Sequence, residues 1–212
     1  MNNKIIKYTT VFLLLLLSSC GGDKTEPIIK RYIESSSVAK LISHRGYNNN
    51  QLNGFYSAIK DGFTRLEVDV RLRNGQAVLL HDDIDCANCS TLIELLDLAQ
   101  NKAITLFIEF KELEAIEISL ELLNKYNVDI VLTSFQTEHL KYLNAISNHS
   151  LGFVTNEHFN LENLPSIDYL IINRNYIDKC LALIKCVAFD VSNQNQLDKV
   201  KYKVDYVIID NF

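Results

Sequence analysis

No run of basic residues occurs in this chain, and its formal net charge is −5. An acidic surface argues against nucleic acid as a partner and against electrostatic docking on anionic lipid. Tryptophan is absent, only two prolines are present, and no linker, repeat or low-complexity tract divides the sequence. With 212 residues, of which 48% are hydrophobic, the chain is expected to form one domain with a sizeable core.

The first twenty residues are expected to lie outside that domain. Lys4 and Lys7 precede an apolar run from Val11 to Leu17, which is too short to cross a bilayer as a helix of about 20 residues. This order is typical of a secretory signal peptide over residues 1–19. Leu17-Ser18-Ser19-Cys20 resembles a bacterial lipobox, and the alternative is an ordinary signal peptide with an incidental cysteine.

The resemblance to a lipobox implies cleavage before Cys20 and lipidation of its thiol. Residues 20–37 would then be a tether, and residues 38–212 the folded domain. The expected localisation is that of an exported bacterial lipoprotein, anchored in the membrane through its lipid and facing the periplasm or the cell exterior.

Four cysteines follow Cys20: Cys86, Cys89, Cys180 and Cys186. An even number in an exported chain favours disulfides, with Cys86–Cys89 and Cys180–Cys186 as the natural pairs. The Cys86-x-x-Cys89 spacing also occurs in zinc knuckles, but no second such motif accompanies it. Two reduced, inert pairs are the remaining alternative.

From Val38 onward, short apolar runs alternate with helical patterns. Runs such as Ile130-Val131-Leu132 suit strands buried on both faces of a parallel sheet. Helices are expected over Leu92 to Gln100, along the stripe Leu113, Ile116, Leu120 and Leu123, and over Glu138 to Ile146. The predicted strands are Ala39 to Ser43, Thr64 to Val70, Ala77 to Leu80, Thr105 to Phe110, Ile130 to Ser134, Leu151 to Thr155, Tyr169 to Asn173, Cys186 to Val191 and Tyr206 to Asp210.

The second and third of these strands predict a hairpin. Only Arg71 to Gln76 separates them, which is too short for a parallel crossover, and the segment contains the turn signal Asn74-Gly75. Folding at this turn brings His81 beside Glu67 and Asp69. Setting the third strand aside leaves eight strands in β-α order. The expected fold is therefore an α/β TIM (β/α)8 barrel with an additional hairpin strand, and with its site at the C-terminal strand ends.

Three carboxylates predict a metal site. Glu67 and Asp69 are two residues apart on one strand, so their side chains point the same way. Glu109 lies inside an apolar run of the next barrel strand, where a carboxylate is costly to bury unless it is paired or metal-bound. Three carboxylates without clustered thiols or imidazoles favour Ca²⁺ or Mg²⁺. Partly solvated carboxylates at a barrel mouth are the alternative.

Two histidines flank this cluster in the sequence. His44 ends the first strand and His81 follows the hairpin strand. A lone histidine there is more often structural, but a pair beside carboxylates favours proton transfer near neutral pH. Arg45 and Lys111 can bind phosphate oxygens. The remaining histidines, in polar contexts, are interpreted as surface residues: His139, His149 and His158.

The spacing of these motifs is itself informative. The motifs are His44-Arg45-Gly46, Ala58-x-x-x-Gly62, Glu67-Val68-Asp69-Val70, Asn74-Gly75, Leu80-His81-Asp82, Glu109-Phe110-Lys111 and the closing strand Val204 to Phe212. Together, from about Ala39 to Phe212, they resemble the glycerophosphodiester phosphodiesterase family. The resemblance implies a TIM barrel that hydrolyses glycerophosphodiesters to an alcohol and glycerol phosphate. The implied roles are acid and base for His44 and His81, metal ligands for Glu67, Asp69 and Glu109, and phosphate contacts for Arg45 and Lys111.

Three departures from the family pattern concern the substrate. The family's Pro-Glu-Asn-Thr aligns with Asn48-Asn49-Asn50-Gln51, so Asn49 replaces an acidic residue. Phe189-Asp190-Val191-Ser192 stands in place of the family's tryptophan motif, and the insertion that usually follows His-Asp is reduced to Asp83 to Ser90. These changes leave the histidines and carboxylates intact and bear mainly on substrate identity.

The sequence therefore predicts a phosphoric diester hydrolase that acts on a small phosphodiester with one divalent cation. Two alternatives stay open. One is a lipoprotein that binds a phosphodiester or sugar phosphate without cleaving it, and the other is a phospholipase-like phosphodiesterase that acts on lipid head groups. Retention of both histidines favours catalysis, because a protein that only binds a phosphate needs only positively charged side chains such as Arg45 and Lys111.

Overall fold

The computed structural model describes residues 40–47, 49–157, 159, 161–180 and 184–210. The predicted signal peptide, the Cys20 lipidation site and the tether lie outside the described residues. Within the described part of the chain, no helix is both long and apolar enough to cross a bilayer.

Nine strands form one sheet, and eight of them close into a parallel barrel, as predicted. The strands are β1 Lys40–Ser43, β2 Arg65–Arg73, β3 Gln76–Leu79, β4 Thr105–Phe110, β5 Asp129–Ser134, β6 Ser150–Thr155, β7 Tyr169–Asn173, β8 Lys185–Val191 and β9 Tyr206–Ile209. The barrel order runs from β1 through β2 and β4 to β9, and β9 pairs with β1 to close the ring. Both faces of β4 and β5 are covered, as their apolar runs require.

The strand β3 is the predicted hairpin partner of β2. The two pair antiparallel and are joined by Asn74 and Gly75 alone, which have φ of 51° and 76°. Positive φ at both positions is what a two-residue type I′ turn requires. The Leu80 N–H donates to the Asp69 carbonyl (3.0 Å), so the hairpin delivers His81 to the barrel rim.

Five helices are described on the outside of the barrel. They are α1 Leu52–Lys60, α2 Leu92–Ala99, α3 Glu114–Leu123, α4 Thr137–Ile146 and α5 Gln194–Val200. The helix α2 begins at a capping box, in which the Thr91 hydroxyl accepts from the Glu94 N–H and the Glu94 carboxylate accepts from the Thr91 N–H. Its buried leucines pack in the layer between helices and strands.

Two connections differ from the predicted β-α order. In their described parts, β6 is followed by the 3-10 turn Leu161–Asn163, and β7 by the 3-10 segment Arg174–Lys179. The connections span only residues 156–168 and 174–184.

The barrel lumen is filled at one end. Three rings pack at the N-terminal side of the strands, with centroids 5.3 to 6.3 Å apart: Phe107, Tyr169 and Tyr206. Above them, apolar side chains such as Ile42 and Val187 complete the interior cluster. The lumen therefore opens towards the C-terminal strand ends.

Candidate active site

Three buried carboxylates meet where β2 and β4 lie side by side, close to the end of their pairing at Val70 and Phe110. In the parallel pairing of these strands Asp69 lies opposite Glu109, and Glu67 is two residues before Asp69 on the same face. The three residues are at most 8% exposed, and one oxygen from each lies within 4.8 Å of the others. An all-oxygen donor set of this kind can hold a hard divalent cation.

The loop after β1 holds two of these carboxylates in place. The Asn50 amide nitrogen donates to Asp69 Oδ2 (2.9 Å), and the Asn50 amide oxygen accepts from the Asp69 N–H (3.1 Å). The Arg45 N–H donates to Glu67 Oε2 (3.1 Å), and Arg45 Nε lies 2.9 Å from Asp69 Oδ2. Contacts of this kind orient potential metal ligands before any cation arrives.

This loop has an unusual backbone. Five described residues in it have positive φ, from 44° to 67°: Arg45, Gly46, Tyr47, Asn49 and Asn50. A Cβ atom on Gly46 would lie 2.5 Å from Phe55 Cδ1 and 2.7 Å from Phe55 N, so only glycine fits there. Asparagine tolerates the left-handed region better than most residues. Strain is thus concentrated next to the carboxylates, as is common at functional sites.

Two cations neutralise part of the cluster's charge. Lys111 Nζ lies 2.7 Å from Asp69 Oδ1 and also pairs with Glu109. Burial would raise the pKa of Asp69, but Lys111 and Arg45 hold that pKa below its usual value. Burial would lower the pKa of Lys111, but Glu109 and Asp69 raise it instead. The side chains of Lys111 and Arg45 both line the pocket.

Glu67 and Glu109 are less well compensated. Burial raises the pKa of Glu67 to about 8, and the charge of Asp69 adds to the shift. Burial also raises the pKa of Glu109, although Lys111 opposes the shift. Glu67 therefore retains its proton at neutral pH, and a divalent cation that bound there would displace it.

His44 is oriented by a carboxylate that follows β9. His44 Nδ1 lies 2.5 Å from Asp210 Oδ1, and His44 Nε2 lies 3.8 Å from Glu67 Oε2. A carboxylate on Nδ1 favours the tautomer that carries its proton on Nδ1, which leaves Nε2, the nitrogen nearer the cluster, able to accept a proton. Burial would lower the pKa of His44, but the hydrogen bond to Asp210 and the charge of Glu67 outweigh it and raise that pKa.

His81 has an equivalent partner in the next residue. His81 Nδ1 lies 2.6 Å from Asp82 Oδ1, and this hydrogen bond lowers the pKa of Asp82. His81 lines the same pocket as His44, as the sequence predicts. Both rings thus use Nδ1 to bind a carboxylate and keep Nε2 for other contacts.

The pocket has a volume of about 330 Å³. Beyond the charged side, part of its wall is formed by Phe135 and Phe189, which pack edge to face with centroids 6.2 Å apart. Val154, Ile171 and Ile208 add apolar surface. Its size and mixed lining suit a small ligand with an anionic part and a neutral part.

Two functional contacts were not predicted from the sequence. The sequence places Asp210 only in a strand, and Asn50 only within the stretch that departs from the family pattern. The available signal for Asp210 was a polar residue directly after the buried run that forms β9. Asn50 is 1% exposed, and nothing in its asparagine-rich surroundings distinguishes it from Asn49.

The interpretation of His139 as a surface residue is wrong. Its side chain is buried, and His139 Nδ1 lies 3.0 Å from Ser134 Oγ, which ties α4 to the end of β5. Burial lowers the pKa of His139 and of the half-buried His149. Neither of these described histidines lines the pocket. His158 lies outside the described residues.

Both predicted disulfides are present. Cys86 pairs with Cys89 and Cys180 pairs with Cys186, with Cα atoms 5.6 and 5.8 Å apart. The Cys86–Cys89 bridge lies in the loop that follows His81. The pairing leaves no free thiolate in the Cys86-x-x-Cys89 motif for zinc.

The fold is similar to solved structures of glycerophosphoryl diester phosphodiesterases. One from Silicibacter pomeroyi, assigned to that activity, aligns with a TM-score of 0.68 and 15% identity over 82% of this chain and 90% of that chain. One from Agrobacterium tumefaciens aligns with a TM-score of 0.66 and 15% identity over 82% and 94%. The corresponding domain of an uncharacterized Mycobacterium tuberculosis protein gives 0.57 and 11% over 82% and 96%.

No protein-family model and no curated protein sequence matches the chain. At identities of 11 to 15%, the structural matches establish the fold. For the fold, these matches confirm the resemblance that the motif spacing indicates.

Proposed function

We propose that this chain is a metal-dependent phosphodiesterase that hydrolyses glycerophosphodiesters to an alcohol and glycerol 3-phosphate. One observation carries the proposal. Two histidines, each with a carboxylate on Nδ1, line the same pocket as Glu67 and Glu109, which form a buried carboxylate cluster together with Asp69. The similarity of the fold to structures assigned to this activity supports it.

The cation is assigned to Glu67, Asp69 and Glu109. Their oxygen ligands favour Ca²⁺ or Mg²⁺ over softer metals. When bound, such a cation supplies positive charge against the negative charge that develops on the phosphoryl oxygens. Asn50 and the Arg45 N–H fix the direction of the carboxylates, and burial keeps bulk water from them.

His44 and His81 are assigned as the acid–base pair. Hydrolysis requires one group to take a proton from the attacking water and another to give a proton to the departing alcohol oxygen. Asp210 holds His44 at Nδ1 and Asp82 holds His81 at Nδ1, so Nε2 is the exchanging atom of each ring. A protein that only bound the ligand would need neither arrangement.

Arg45 and Lys111 are assigned to the substrate phosphate. Both side chains now pair with carboxylates at the edge of the pocket. A phosphodiester that entered would offer oxygens to the same two cations. Phe135 and Phe189 supply apolar surface for the carbon skeleton of the substrate.

Phosphorus NMR on a small substrate panel tests this proposal. The panel contains glycerophosphocholine, glycerophosphoethanolamine and phosphatidylcholine micelles, each with Ca²⁺ or Mg²⁺. The expected result is a growing glycerol 3-phosphate resonance from the first two substrates, whose growth His81→Ala slows by about 10²- to 10⁴-fold. Cleavage of phosphatidylcholine alone would support the phospholipase-like alternative, and line broadening without product would support binding without catalysis.

The proposed setting is a lipid-anchored protein outside the cytoplasm. Two disulfides in the folded domain agree with an oxidising compartment. Lipidation at Cys20 predicts that Cys20→Ser releases the protein from membranes or leaves the precursor unprocessed. An unmodified, freely soluble wild type in the native host would contradict this setting.

A further inference from the structure

Two arginines outside the pocket converge on the segment that carries His81. Arg71 Nε donates to the His81 carbonyl (3.0 Å). Arg73 Nε donates to the Ile84 carbonyl (3.1 Å), and Arg73 Nη2 lies 2.6 Å from Asp83 Oδ1. Both ends of this short segment are therefore attached to β2.

A single carboxylate holds both arginines. Glu112 Oε2 accepts from Arg71 Nη1 (3.0 Å), and Glu112 Oε1 accepts from Arg73 Nη1 (3.3 Å). Glu112 Oε1 also accepts from the Leu72 N–H between them. The side chains of Arg71, Arg73 and Glu112 are only 14 to 21% exposed, so solvent screens this network less than a surface ion pair.

The geometry of β2 explains this arrangement. Its pairing with β4 ends at Val70, but β2 continues to Arg73 while paired with β3 alone. Residues two apart share a face, so the face that carries Glu67 and Asp69 inside the barrel carries Arg71 and Arg73 above it. Glu112, two residues after the end of β4, reaches the arginines from the side.

We propose that Arg71, held by Glu112, is a positioning residue for His81, with Arg73 as a second anchor for the same segment. This inference rests on the proposed function, in which His81 transfers a proton. His81 lies beyond the end of β3, and the Arg71 guanidinium fixes its backbone carbonyl. Proton transfer needs the ring within hydrogen-bond reach of the substrate, and a displacement of about 1 Å can cost about 10²-fold in rate.

A direct role at the phosphate does not suit either arginine. Arg71 already uses Nε for the His81 carbonyl and Nη1 for Glu112. Among the described residues that line the pocket, Arg71, Arg73 and Glu112 are absent. Their effect on turnover would therefore pass through His81.

A double-mutant cycle tests this role in the full mature chain. Arg71→Ala should lower kcat by about tenfold or more, with KM little changed, because the ring loses its position but the phosphate contacts remain. In a His81→Ala background the same change should alter kcat by less than about twofold. Arg65→Ala is the matched control, since Arg65 lies at the other end of β2, over the Tyr206 ring, and should leave kcat unchanged.

Glu112→Gln provides a second variant. It keeps an acceptor for the Leu72 N–H but loses the charge that holds the arginines, and kcat should fall in the same direction as with Arg71→Ala. If Arg71→Ala lowers kcat by the same factor with His81 present and in the His81→Ala background, the proposal is overturned. An unchanged kcat in both Arg71→Ala and Glu112→Gln would also overturn it.

Hydrogen exchange separates this inference from the proposed function. If the wild type hydrolyses no phosphodiester, the proposed function fails, but the anchoring of residues 81–84 is still measurable. Arg71→Ala should raise amide exchange in a peptide covering these residues, relative to Arg65→Ala, while exchange elsewhere in β2 stays close to wild type. Equal exchange in the two variants would overturn the anchoring.

Discussion

Lys111 is the residue whose surroundings would change most when a cation enters the carboxylate cluster. Its ammonium group lies against Asp69 and Glu109, two of the three proposed ligands. An ammonium and a divalent cation compete for the same oxygens. A bound cation would weaken the hold of the carboxylates on Lys111 and leave its charge available to a phosphate.

Lys111→Met should therefore raise the affinity for Ca²⁺ or Mg²⁺ while it lowers turnover. Removal of one competing charge at contact distance predicts a gain of about tenfold or more in affinity. Calorimetric titration of metal-free protein measures it, with Lys111→Arg as the control that keeps the charge. An affinity that falls in Lys111→Met would mean that the lysine supports the ligands.

Glu67 is expected to make cation binding depend on pH. Its pKa in the folded, metal-free protein is about 8, against an ordinary value of 4.5. Between these two pH values, the folded state retains a proton that the unfolded chain has lost. In metal-free protein this group contributes stability below about pH 4.5 that is lost as the pH rises through about 8.

A cation needs the ionised carboxylate, so binding should release protons and tighten as the pH rises from about 6 to about 8.5. Titrations in two buffers of different ionisation enthalpy count the released protons. Glu67→Gln should abolish most of the pH dependence. Affinity that is constant over this range would show that Glu67 is already ionised in the metal-free protein.

At the scale of elements, the β2–β3 hairpin determines where His81 lies. The Cys86–Cys89 bridge stiffens the loop that follows, beside the Arg73 contacts to Asp83 and the Ile84 carbonyl. A ring this small stabilises weakly, by roughly 3 kcal/mol or less in the chain-entropy model. Its main effect is expected on local geometry.

Mild reduction of the mature protein should lower kcat while it changes the melting temperature little. Cys86→Ser/Cys89→Ser should reproduce the loss, and Cys180→Ser/Cys186→Ser serves as the matched control because that bridge lies outside the His81 loop. A fall in melting temperature with unchanged kcat would show that the Cys86–Cys89 bridge acts on global stability instead.

Much of this level of structure could be predicted from the sequence. Strands such as Thr105–Phe110 and Tyr169–Asn173 match their predicted bounds, because a run buried on both faces is apolar over most of its length. The register of the β2–β3 hairpin was also predictable, because Asn74-Gly75 favours a two-residue turn. The 3-10 turns in the described parts of the connections after β6 and β7, where α-helices were expected, were not predicted, since nothing local distinguishes a short 3-10 connection from a short helix.

The site was predictable where chemistry is visible in residue type. Glu67, Asp69 and Glu109 stand out as carboxylates in apolar runs, and the structure brings them together. Contacts that depend on the closed ring were not predictable. Asp210 meets His44 only because β9 pairs with β1, and the arginine network depends on how far β2 extends beyond β4.

At the scale of the whole molecule, the closed barrel directs access to the site. Rings of Phe107, Tyr169 and Tyr206 fill the N-terminal side of the lumen. The opposite end presents the carboxylates, both histidines and the side chains of Arg45 and Lys111. We expect the short loop after His81 to leave that end open to a substrate from solution.

The most direct test of the proposed metal-dependent hydrolysis measures glycerol 3-phosphate release from glycerophosphocholine by metal-stripped mature protein. Release is measured before and after Ca²⁺ or Mg²⁺ is restored. Glu109→Gln, measured in parallel, removes one proposed ligand and should not recover. We expect no measurable release from the stripped wild type and recovery of turnover when the cation returns. Full turnover in a demonstrably metal-free wild type, or no release after cation is restored, would contradict it.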